Sequence, residues 1–198
     1  MTFSQLFIEL KVRFQLISDP FLRTLRVLRS FKKAYALPLF DFSGNTIEVK
    51  GLTRPWFNYP AIEFLDTIDF NGLNVFEYGC GNSTKYFSQS GASVYGVEND
   101  LKWAHMVAAQ TGSNILVSNE KNEYVNSVET FEMKFDVVVI DGLFRDECCE
   151  LFFKRQNLLE SSVLIFDNSN WFPKSIKRVS NEEDWIPIYF NGFGPKVN

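Results

Sequence analysis

Residues 74–84 read Asn74-Val75-Phe76-Glu77-Tyr78-Gly79-Cys80-Gly81-Asn82-Ser83-Thr84. A short run rich in Val, Phe and Tyr enters a turn holding two glycines, and residues 83–90 then suit a helix. The run is too short for a helix and favours a strand. Gly79 and Gly81 permit a tight turn and let a ligand approach the backbone closely. Ser83 or Thr84 can cap the following helix and leave N–H groups pointing out from the turn.

The same rhythm continues outward. Strands are predicted at 93–97, 114–117, 134–140 and 162–166, with helices at 61–68, 101–110 and 148–159. Residues 134–140 are apolar enough to form a central strand buried on both faces. Strands alternating with helices predict a doubly wound α/β fold: a mainly parallel, Rossmann-like sheet with helices on both faces. A last strand is predicted at Trp185-Ile186-Pro187-Ile188-Tyr189-Phe190, where Pro187 argues for an edge position. An open edge can be covered by a second copy, which makes a homodimer an expectation.

Residues 1–60 read differently. Phe3, Phe7, Leu10, Phe14 and Ile17 recur at helical spacing, as do Leu22, Leu25, Leu28 and Phe31, and Asp19-Pro20 separates the two runs. Gly44-Asn45, Gly51, Pro55 and Pro60 mark a loop with a short hairpin. The expected organisation is an N-terminal extension of basic amphipathic helices and loop over 1–60, followed by the sheet domain over 61–198.

The net charge is −4, which argues against a general nucleic-acid binder. The charge is unevenly spread. Residues 1–35 hold Lys11, Arg13, Arg23, Arg26, Arg29, Lys32 and Lys33 against only Glu9 and Asp19. Such helices can pack on the sheet or a second subunit, or lie on an anionic membrane surface; packing is the favoured reading. Cys80, Cys148 and Cys149 do not make a disulfide framework. His105 is the only histidine, so no zinc spacing exists. No secretory signal and no membrane-length apolar run is visible, so a cytoplasmic location is expected.

In parallel sheets ligands bind beyond the carboxyl ends of the strands, near the switch in strand order. The turn after the first strand supplies Glu77, Gly79, Gly81 and Ser83. The second strand ends at Glu98, 17 residues past Gly81, where a carboxylate can accept from both ribose hydroxyls. A pyrophosphate turn needs a third glycine, and position 84 is threonine. A cofactor with ribose and adenine but no phosphate fits better. The cationic sulfonium of S-adenosylmethionine suits a pocket holding Glu77 and Asp141.

The stretch Phe76-Glu77-Tyr78-Gly79-Cys80-Gly81-Asn82-Ser83-Thr84, followed by Tyr95-Gly96-Val97-Glu98, resembles the first two motifs of class I S-adenosylmethionine-dependent methyltransferases. The similarity spans about residues 73–168. It implies that Gly79 and Gly81 lie at the methionine portion, Glu77 near its amino group, Glu98 on the ribose, and Ser118 or Asn119 near adenine. Many members carry a third glycine where this chain has Ser83.

The fourth strand ends in Asp141-Gly142 and the fifth in Asp167-Asn168. Adjacent ends would bring two carboxylates and an amide oxygen together, a set that suits Mg²⁺ or Ca²⁺. A metal-bound hydroxyl loses its proton more easily. This side is similar to the cation-dependent O-methyltransferases of the catechol and caffeoyl-coenzyme A type, with Trp171 near the acceptor. Those enzymes have a lysine soon after the first aspartate, whereas Phe144 and Arg145 follow here, so Arg145 replaces it or binds an acidic acceptor. In the other reading Asp141 helps hold the cofactor and Asp167-Asn168 cap a turn.

The implied activity is methylation of a hydroxyl on a small molecule or glycan, with Asp141 and Arg145 catalytic and Asp141, Asp167 and Asn168 as metal ligands. Base methylation of nucleic acid is not expected, because Asp141-Gly142-Leu143-Phe144 lacks the Pro-Pro of amino-methylating enzymes. Two rivals stand beside it. One is a dinucleotide-dependent oxidoreductase on the same sheet. The other is a non-catalytic module that uses the basic N-terminal helices to bind a partner.

Overall fold

The computed structural model describes residues 48, 49, 52–154 and 163–194. The helices predicted over 3–17 and 21–36, and the far end of the helix predicted to reach 159, lie outside the described residues. β1 (Glu48–Val49) and β2 (Leu52–Thr53) form the expected short antiparallel hairpin. α1 (Tyr59–Leu65) starts at Asn58, whose Oδ1 accepts from Ala61 N–H at 3.0 Å, and Pro60 occupies its first turn.

The sheet follows: β3 (Asn74–Tyr78), α2 (Asn82–Gln89), β4 (Ser93–Glu98), α3 (Leu101–Thr111), β5 (Asn114–Val117), α4 (Lys121–Asn126), β6 (Val137–Ile140), α5 (Arg145–Lys154), β7 (Val163–Phe166) and α6 (Pro173–Ser180). The five long strands are all parallel, in the order β5-β4-β3-β6-β7. The chain moves outward from β3 to β5, returns to pair β6 on the other side of β3, and ends at β7. Right-handed crossovers therefore place α2 and α3 on one face and α5 on the other. The fold is the α/β, Rossmann-like sheet read from the sequence. The switch in strand order lies between β3 and β6.

β3 is buried on both faces. Val75 and Phe76 point to opposite sides, and both are fully buried. The phenylalanines fill the core on both faces. Phe76 meets Phe135 at 5.2 Å and Tyr78 at 4.8 Å between ring centroids, while Phe70 meets Phe87 at 5.1 Å on the opposite side. Phe152 and Phe153 of α5 pack on Trp185. Cys148 and Cys149 are buried in the same cluster and unpaired, and Cys80 is also free. Among the described residues, no helix is long and apolar enough to cross a membrane.

The strand expected at 185–190 does not form. Trp185 is anchored on α5, and farther on the Phe190 carbonyl accepts from Asn58 Nδ2 at 2.9 Å and the Phe193 carbonyl from Tyr59 N–H at 2.8 Å. Those anchors draw the segment to the start of α1, so its backbone does not pair with β7. Pro187 has no N–H to offer a ladder in any case. Its alternating apolar residues face solvent instead, with Ile186 88% exposed. β7 is thus the sheet edge among the described residues, and Val163 on it is half-exposed. Helices α4 and α6 are not among those expected from the sequence, although α6 is amphipathic.

Phe76→Ala removes a ring at the centre of this packing. It is expected to destabilise the fold by about 3–5 kcal/mol, read as a lower urea midpoint at unchanged slope.

Candidate active site at the strand ends

The parallel register brings the predicted site residues into one row. Tyr78 pairs with Val97 and Ile140, and Ile140 with Phe166. The ladders run one residue further: Asp141 N–H donates to the Tyr78 carbonyl at 2.9 Å and Asp167 N–H to the Ile140 carbonyl at 3.1 Å. Gly79, Glu98, Asp141 and Asp167 therefore stand side by side at the carboxyl ends.

At the switch point two backbones touch. Gly79 has φ +91°, and a Cβ there would lie 2.6 Å from the Cα of Gly142. A Cβ on Gly142 would lie 2.0 Å from the Tyr124 hydroxyl. That hydroxyl accepts from Leu143 N–H at 3.2 Å, so Tyr124, buried in α4, supports the loop after β6. Gly81 differs. A Cβ there would make only ordinary contact with the Trp103 indole, 3.5 Å at the nearest. Protein packing alone leaves space for a side chain at 81.

Glu77 is the most unusual group. It is fully buried beneath the turn. Its Oε2 accepts from the Thr84 hydroxyl, which in turn accepts from Gly81 N–H at 2.8 Å. Its Oε1 is buried with no hydrogen-bond partner. Burial pushes its pKa up to about 7, against the hydroxyls of Thr84 and Ser83, which favour the ionised form. Ser83 is itself buried.

Glu98 is buried and heavily engaged. Oε2 accepts from Cys80 N–H at 3.1 Å, and Oε1 accepts from Asn99 and Asp100 N–H at 2.9 and 3.0 Å. It pins the turn after β3 to the turn after β4. About four acceptor sites exist on a carboxylate, so room for one more donor remains. Gly96 completes this junction, since a Cβ there would lie 2.5 Å from both the Cys80 sulfur and the Glu77 carbonyl oxygen. Glycine inside a strand is the sequence signal for such an approach. Glu120 caps the start of α4; Ser118 precedes it, accepting from Glu120 N–H at 3.2 Å and donating to Glu123 Oε2 at 3.0 Å, and Asn119 beside it is exposed.

Asp141, Asp167 and Asn168 come together as expected, but Arg145 lies among them. Its Nε donates to the Gly142 carbonyl at 3.0 Å. Nη1 donates to the Asp167 carbonyl at 2.8 Å and Asn168 Oδ1 at 3.1 Å. Nη2 donates to the Asp141 carbonyl at 2.6 Å and meets Asp141 Oδ1 at 2.9 Å. Four guanidinium N–H groups donate to protein oxygens, and the Asp141 carboxylate pairs with the group as an ion. Burial raises the Asp141 pKa to about 8, helped by the adjacent Asp167 carboxyl and opposed by Arg145. Phe144 and Asn168 flank the cluster with φ of 50° and 51°, a region non-glycine residues seldom occupy. Trp171, in the turn after β7, is 61% exposed.

Among the described residues, no group of three or more His, Cys, Asp or Glu side chains is placed to hold a metal. Two of the three expected ligands, Asp141 and Asn168, already give an oxygen to Arg145. As arranged, the donor set does not fit a divalent cation. His105 is exposed on α3, away from the strand ends.

Two expected outcomes follow from the turn. Gly79→Ala drives a Cβ into backbone and is expected to cost at least about 2 kcal/mol, with Gly81→Ala costing less; thermal denaturation separates them. Glu77 keeps its proton in the folded chain up to about pH 7 but releases it near 4.5 when unfolded. Its contribution to stability is therefore full below the unfolded value and falls as pH rises to about 7. The loss is on the order of 3 kcal/mol, and Glu77→Gln flattens that part of the stability–pH curve. No model of a known protein family matches the chain, and no curated protein sequence does.

Proposed function

We propose that this protein is an S-adenosylmethionine-dependent methyltransferase that acts on a hydroxyl of a small-molecule or glycan acceptor. The observation that carries the reading is Glu77 Oε1, a buried carboxylate oxygen without a partner at the head of the central strand. A buried carboxylate is costly unless a cation or donors complete it. The ammonium of a methionine moiety lying along the Gly79–Gly81 turn is such a cation. The bare Gly81 leaves room for it, and Glu98 retains an acceptor for one ribose hydroxyl. Ser118 and Asn119 stand after β5, where an adenine would lie.

The same charges disfavour a pyrophosphate. Glu77 and Asp141 would both repel it, and Thr84 takes the place of a third glycine while bonding inside the turn. The cofactor, when bound, supplies an electrophilic methyl group on a sulfonium sulfur.

Asp141 is the proton acceptor in this reading. Its carboxyl stands beside that of Asp167, with its side chain 27% exposed towards the cleft. It would take the proton of the acceptor hydroxyl, whose oxygen would receive the methyl group that the bound cofactor would supply. Burial and the adjacent Asp167 carboxyl raise its proton affinity, and Arg145 opposes them. Arg145 acts through Asp141 by holding it in place.

Calorimetric titration with S-adenosylmethionine, S-adenosylhomocysteine and NAD tests the reading. Micromolar binding of the first two is expected, lost in Glu77→Gln. Binding of a cationic ligand requires ionised Glu77, so affinity should weaken about tenfold per pH unit below about 7 and level off above it. Absence of binding by either methyl-cycle ligand overturns the proposal, and preference for NAD transfers the site to a dinucleotide oxidoreductase.

A further inference from the structure

We infer that Arg145 is the built-in cation of this cleft. Its guanidinium fills the electrostatic place among Asp141, Asp167 and Asn168 that a divalent ion would otherwise take, and it braces the ends of β6 and β7 against each other. Three of its four hydrogen-bond acceptors are loop carbonyls, those of Asp141, Gly142 and Asp167. Beyond the last ladder bond these carbonyls need donors, and one planar fork supplies them all. The fourth acceptor is Asn168 Oδ1, and Asp141 Oδ1 forms an ion pair with the same group at 2.9 Å. One face of the guanidinium lies over the Phe172 ring, 5.4 Å from its centroid. A lysine ammonium, with three donors and no plane, cannot reproduce this set.

The consequence concerns ion binding. A hard divalent ion needs several oxygens at about 2.0–2.6 Å. Two of the oxygens on offer already accept from the guanidinium, so an ion on them would sit within roughly 5 Å of a fixed positive charge. Removing the guanidinium frees Asp141 and Asn168 beside Asp167 and opens a carboxylate-rich site. The inference goes beyond the methyl-transfer reading and holds or fails without it.

Mn²⁺ titration followed by electron paramagnetic resonance, with no cofactor added, tests it. Wild-type protein should show no site at these residues tighter than roughly 1 mM. Arg145→Ala should gain at least about tenfold in Mn²⁺ affinity, and adding Asp167→Asn should abolish the gain. Arg145→Met, which keeps the aliphatic stem over Phe172, serves if the alanine variant does not fold. Tight Mn²⁺ binding by wild type that Asp167→Asn removes would overturn the inference. So would a folded Arg145 variant with no gain.

Discussion

Gly79 and Gly142 let the segments leaving β3 and β6 meet backbone to backbone at the switch in strand order. The rest of the cleft depends on that contact. It sets the height of the turn over Glu77, and it places Asp141 level with that turn. Tyr124 closes the contact from the side of α4, and Gly96 provides the matching clearance under Cys80. A side chain at any of these glycines would separate strand ends that the parallel register otherwise aligns.

Charge is arranged in two layers around this contact. Beneath it, Glu77 is isolated from solvent and short of a partner. In front of it, Asp141 and Asp167 share space that would be unfavourable for two free carboxylates. Arg145 relieves that repulsion from within the chain. The strained backbone at Phe144 and Asn168 sits on the two segments that Arg145 joins. Strain of this kind persists where surrounding contacts over-determine the backbone, and four hydrogen bonds and an ion pair from one side chain are such a constraint. The strand ends are thus acidic, with a carboxyl buried at Glu77 and Arg145 paired with Asp141.

Much of the fold was legible. The Val–Phe–Tyr run at 74–78, the all-apolar 137–140 and the spacing between them predict a parallel sheet, because strand and helix periodicities are local properties. The row of Gly79, Glu98, Asp141 and Asp167 was legible too, because parallel register aligns residues that follow each strand. Residues 185–190 show where local pattern misleads. Their alternation suits a strand, but Trp185, Phe190 and Phe193 are held by α5 and the start of α1, contacts between residues far apart in the chain. The short α4 and α6 span only six and eight residues, lengths at which a helix depends on packing and a local period is brief.

The sequence by itself determined which residues stand at the strand ends, since strand boundaries and chain order are enough to place them. Only the tertiary structure decided what those residues do to one another. No spacing rule shows that Glu98 is committed to three backbone N–H groups, that Glu77 keeps an unpartnered oxygen, or that Arg145 ties together the segments leaving β6 and β7. Hydrogen-bond saturation and burial depend on side-chain direction and on neighbours brought from elsewhere in the chain, and these exist only once the sheet has closed around them.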